Sequence, residues 1–176
     1  TDKHSGNSYE LAELANSDFS ATIKSGIIPQ SINTSSIEIY DIIDTNTRFN
    51  TIFKNDKEGF LKIDSEYINF RVIRTEEVTD LVGGIVVNTP TLTLTSGVDT
   101  LTIGSTLKIE DTATNTTSYE TIENIVGSNI TFKNIINETF DAKKISIITI
   151  RLEIIRRGMF DTPKTNIGTG DILSFY

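Results

Sequence analysis

From residue 21 onward, apolar and polar residues alternate with a period of two, the spacing that sends successive side chains to opposite faces of a strand. Ala21-Thr22-Ile23-Lys24 and Ile37-Glu38-Ile39-Tyr40-Asp41-Ile42-Ile43 read as strands, separated by Gly26, Pro29 and the polar cluster 31–36. Residues 44–50 read as a turn, with Phe49, Ile52 and Phe53 returning to the core. The stretch 59–73 predicts a hairpin: Leu61 and Ile63 alternate on one arm and Ile68, Phe70 and Val72 on the other.

After Gly83-Gly84 the chain becomes a series of short strands at roughly 8–12 residue intervals, the spacing of small barrels and sandwiches. They are Ile85-Val86-Val87, Thr91-Leu92-Thr93-Leu94, Leu107-Lys108-Ile109, Tyr119-Glu120-Thr121-Ile122, Asn129-Ile130-Thr131-Phe132 and Ile145-Ser146-Ile147, with Gly104 and Gly127 at joints. Residues 149–176 return to the style of the first part. The predicted fold class is all-β, sandwich or barrel modules with a short N-terminal helical arm. Residues 21–84 plus 149–176 are expected to form a host β domain, and 85–148 an inserted small barrel. Residues 1–20 are the arm, where Leu11, Leu14 and Ala15 share a helical face too short to stand alone. It packs either on the body of this chain or on a neighbour.

Composition sharpens this picture. With 28 isoleucines and 26 threonines against 5 alanines, the chain is built from β-branched residues, which argues against an all-helical fold. It has no cysteine and one histidine, His4, so thiolate chemistry is excluded and neither a histidine triad nor a multi-histidine zinc site is expected. A net charge of −8 argues against a nucleic-acid partner, and no apolar run is long enough to suggest a membrane span. The polar start, Thr1-Asp2-Lys3-His4-Ser5-Gly6-Asn7, reads without the apolar core of a secretory signal.

Few groups invite a chemical reading. Asp64 and Glu66 have the i, i+2 spacing that places two carboxylates on one face of a strand, while Asp64-Ser65 also suits a hairpin turn. Arg156-Arg157 could clamp an anion or serve structure. The stretch 111–115 starts like a calcium loop but has Thr116 and Ile122 where that loop needs a glycine and a bidentate acid. Gly83-Gly84 and Gly168-Thr169-Gly170 read as turns. No catalytic, cofactor-binding or metal-binding set is assigned.

Two longer patterns are more informative. The stretch Gly59-Phe60-Leu61-Lys62-Ile63-Asp64-Ser65-Glu66-Tyr67-Ile68-Asn69-Phe70 resembles a glycine-led hairpin found in tail and baseplate structural proteins of bacteriophages. Arg157-Gly158-Met159-Phe160-Asp161-Thr162, followed by Gly170-Asp171-Ile172, resembles the closing segment of the same proteins. Arg157, Gly158, Thr162 and Gly170 keep that segment's spacing, whereas Asp161, Lys164 and Ile167 stand where the family has glycine, alanine and histidine. Strands 104–109 and 125–132 resemble those of small barrels in virion and other extracellular proteins. The resemblance implies a non-enzymatic virion protein of the tail, baseplate or neck, assembled in the host cytoplasm. Its expected partners are other virion proteins and further copies of itself in a symmetric assembly. It further implies that Glu66 pairs with Arg157 to order the hairpin against the closing segment, with Gly158 and Gly170 as turn positions. The other readings are a receptor- or carbohydrate-binding module, a head decoration protein, and an enzyme using Asp64 or Glu66.

Overall fold

The computed structural model describes residues 19–27, 35–43, 49–95 and 101–176, and within them the chain is almost entirely β. Ten strands follow in order: β1 (Phe19–Ser25), β2 (Ser36–Tyr40), β3 (Glu58–Ile63), β4 (Glu66–Val78), β5 (Ile85–Thr93), β6 (Thr106–Asp111), β7 (Thr116–Val126), β8 (Asn129–Asp141), β9 (Lys144–Met159) and β10 (Ile172–Phe175). A single helical turn, α1 (Phe49–Ile52), precedes β3. The predicted helical arm lies outside the described residues as far as residue 18, and with it Leu11 and Leu14. Phe19 and Ser20 already belong to β1.

The chain divides into two compact units, one formed by 1–39, 50–74 and 150–176 and the other by 40–49 and 75–149. The sequence reading puts the first boundary at the Gly83-Gly84 pair, whereas the two compact units part after Arg74, inside β4, a strand that runs continuously from Glu66 to Val78.

In the first unit six strands close into a barrel. The order is β2-β1-β10-β3-β4-β9, and β2 returns to pair with β9 through Ser36↔Glu153 to Ile39↔Ile150. Closure leaves none of these strands with a bare edge along its paired length. Alternation decides which side chains go inside: Phe19, Ala21 and Ile23 of β1, Leu61 and Ile63 of β3, and Leu152 and Ile154 of β9 are all buried. Four phenylalanines lie together at the centre, with Phe53 5.6 Å from Phe19 and 5.1 Å from Phe175, and Phe70 5.6 Å from Phe175. Their tilted and edge-on contacts are the arrangement aromatic quadrupoles favour. The predicted hairpin is β3–β4, joined by the two residues Asp64-Ser65. Asp64 takes the left-handed conformation, φ 50°, which aspartate tolerates and this short turn requires.

In the second unit β6 pairs with β9 on one side and β7 on the other, followed by β8 and β5. Leu107, Ile109, Ile122, Ile130, Phe132 and Ile145 lie in its core. Residues 85–87 and 91–94, read from the sequence as two strands, are one bent strand and its flanking bridge. Register shifts on both sides of Thr89 accommodate the polar stretch between them. Gly83 is more than a turn residue: it bridges to Leu94, and a Cβ there would come within 2.6 Å of the Leu92 side chain and 2.9 Å of Ala142. Only glycine permits that approach.

Candidate functional site

Among the described residues the first unit holds a fully buried charged pair. Glu66 opens β4 directly after the hairpin turn, and Arg157 lies near the end of β9. Along β9 the inward positions run Ile150, Leu152, Ile154 and then Arg157, so the alternation slips by one residue and turns the guanidinium inward while Arg156 is exposed. The structure brings Glu66 and Arg157 together with no side-chain exposure on either. Arg157 donates from Nε to Oε2 at 2.9 Å and from Nη2 to Oε1 at 2.7 Å, the two-pronged geometry that a planar guanidinium offers a carboxylate.

One arginine does not satisfy a buried carboxylate, which has about four acceptor sites. The remainder goes to the closing segment. The Gly158 N–H donates to Oε2 at 2.8 Å, and the Thr165 N–H and hydroxyl donate to Oε1 at 2.7 and 3.3 Å. Nη2 of Arg157 also donates to the Thr165 carbonyl, so the guanidinium grips both the carboxylate and the segment folded over it. Burial by itself raises the Glu66 carboxyl. The Arg157 hydrogen bond, the N–H groups of Thr165 and Gly158 and the guanidinium charge outweigh it, holding the carboxyl below its ordinary value.

The other residues singled out in the sequence attach the same segment. Thr162 accepts the Tyr67 N–H at 2.9 Å and passes its own hydroxyl hydrogen to the Met159 carbonyl at 2.6 Å. Gly158 has φ 60°, and a Cβ would lie 3.0 Å from the Thr162 carbonyl oxygen. Gly170, φ 92°, donates its N–H to the Ile23 carbonyl at 2.9 Å, while Ile23 donates back to Asp171. Ile167, where the resembled family has histidine, is buried in the middle of the segment. Beside these, Phe160 packs against Phe60 at 5.4 Å and Tyr67 at 5.7 Å, and Tyr67 lies 5.9 Å from Tyr176.

Asp64 does not join this cluster. It is exposed at the hairpin turn while Glu66 is buried, so the two carboxylates do not form a pair. In the second unit the Asp111 carboxylate accepts the N–H groups of Ala113 and Asp141 and faces Lys143 at 3.5 Å, stapling a turn. Thr165 and the backbone donor of Gly158 were missed in the sequence. The signal for them is chemical rather than positional: a buried carboxylate facing one arginine demands further donors, and a glycine next to that arginine exposes an N–H to supply one.

Compared with known proteins, the chain matches no family model, no curated protein and no solved structure.

Proposed function

We propose that the protein is a structural component of a tailed-bacteriophage particle, in the tail, baseplate or neck, acting by assembly with other virion proteins and further copies of itself. The observation that carries this reading is how Glu66 is used. Both oxygens of the one fully buried carboxylate in the described cluster hold backbone and a guanidinium, leaving its chemistry committed to shape. Residues of the phage-like patterns, Glu66, Arg157, Gly158, Thr162 and Gly170, all hold the hairpin or the barrel to the closing segment. A closed barrel fastened in this way suits a block repeated by rotational symmetry.

Peptide mass spectrometry on gradient-purified particles, with copy number measured against the major capsid protein, tests the reading. A small multiple of three or six copies per particle is the expected result. Hundreds of copies would favour head decoration instead, and absence from particles would overturn the virion reading altogether.

A further inference from the structure

β10 is four residues long, yet the barrel depends on it. β1 and β3 do not pair with each other; each pairs with β10, through Phe19↔Phe175 to Thr22↔Ile172 on one side and Ser174↔Lys62 and Phe175↔Leu61 on the other. Leu173 and Phe175 are fully buried, and Phe175 touches Phe19, Phe53 and Phe70. The segment that delivers this strand, residues 160–171, contains no strand of its own. It is held to the barrel by Thr162, Thr165, Ile167 and Gly170.

Where this segment leaves β9 the backbone is strained. Six non-glycine residues among those described have positive φ, and five of them are aspartate or asparagine, the types that tolerate it. Phe160 is the sixth, at φ 57°, and Asp161 follows at 61°, the one place where two such residues are consecutive. A tight reversal at this point thus uses a residue pair poorly suited to it, where Asn-Gly would be favoured. Extending the chain here relieves both residues at once.

We propose that residues 162–176 exchange between copies of this chain, the Phe160-Asp161 reversal opening as a hinge so that β10 of one copy fills the slot between β1 and β3 of another. The partner is a second copy because the slot is shaped by Leu173 and Phe175, and every contact it makes within one chain is available unchanged between two. The latch tolerates the exchange. Arg157 and Gly158 precede the hinge and stay with their own Glu66, while Thr165 follows it and completes the Glu66 of the receiving copy. No buried charge is left open in either form. Strand donation around a ring lets each copy give one strand and receive one, which names a partner and a mechanism for the self-assembly proposed above. It rests on that reading for its purpose and on the barrel for its geometry.

The chain has no cysteine, so an engineered pair reports unambiguously. Ser20 and Ser174 are register partners on β1 and β10, both half-buried, and the full chain carrying Ser20→Cys and Ser174→Cys is oxidised at tens of micromolar and run on a non-reducing denaturing gel. Covalent multimers are the expected result. Asp161→Gly in the same background removes strain from the hinge and should cut the multimer fraction about fivefold. An oligomer that yields only intrachain disulfides, or a protein that stays monomeric, overturns the exchange while leaving assembly with other virion proteins standing. A multimer fraction indifferent to Asp161→Gly overturns the hinge. Covalent multimers from a protein absent from particles would instead remove the virion reading and keep the exchange.

Discussion

Other ion pairs of the first unit are partly exposed, whereas Glu66 and Arg157 are fully buried. A buried ion pair contributes little beyond what a well-packed apolar pair would, but breaking it strands a charge without solvent. Glu66→Gln keeps the shape, removes the negative charge facing Arg157, and turns an NH2 toward groups that are all donors. The expected loss is about 3–5 kcal/mol, read as a lower urea midpoint with an unchanged slope. The pH dependence has a definite sign. The Glu66 carboxyl is lowered on folding, so its contribution is fully present above its unfolded value of about 4.3 and is lost as pH falls through the folded value. Asp111 acts in the same direction: burial raises it, but the N–H groups of Asp141 and Ala113 and the Lys143 charge hold it below the ordinary range. The urea midpoint should therefore stay level from neutral pH to about pH 5 and fall below that, with a shallower fall in Glu66→Gln. An acid limb of equal steepness in both proteins would show that Glu66 contributes nothing to it.

At the scale of elements, the closing segment is fastened by a few specific hydrogen bonds rather than by a ladder. Thr162→Val preserves volume but leaves the Tyr67 N–H without its acceptor, a loss of about 1–3 kcal/mol. Hydrogen exchange should show the Tyr67 amide exposed well before that of Ile68; equal protection of the two would mean that Thr162 is not a fastening point. This is also the scale at which sequence and structure part company. The β3–β4 hairpin was legible because Asp64-Ser65 separates two clean alternations and local turn chemistry sets the register. The inward turn of Arg157 was not legible from alternation, since the phase slips after Ile154. β5 looked like two strands because a polar stretch interrupts its apolar positions, and only pairing with β8 makes it continuous. β10 falls in the stretch 149–176 that returns to the style of the first part, but its place between β1 and β3 depends on partners more than a hundred residues away. No period of two carries that information.

For the molecule as a whole, the all-β class followed from composition and period, whereas closure of the barrel rests on the β2–β9 pairing, a purely tertiary event. Among the described residues the first unit starts at Phe19, whose ring packs against Phe53 and Phe175. Deleting residues 1–18 is therefore expected to leave the β-type circular dichroism spectrum and the cooperative melt intact while abolishing incorporation into particles. Normal incorporation of the shortened chain would remove the interaction role from Leu11 and Leu14.

The order of strands around the barrel also sets a timetable for synthesis. All of the second unit, 40–49 and 75–149, has been translated before the residues of β9 and β10 that belong to the first unit. β1, β2 and the β3–β4 hairpin are made early but must wait, their apolar faces uncovered, until Ile150–Phe175 arrives to separate β1 from β3 and join β4 to β2. During that interval every nascent chain carries an open slot for β10. On a polysome, where neighbouring copies are being made side by side, the first strand to reach that slot can come from another chain.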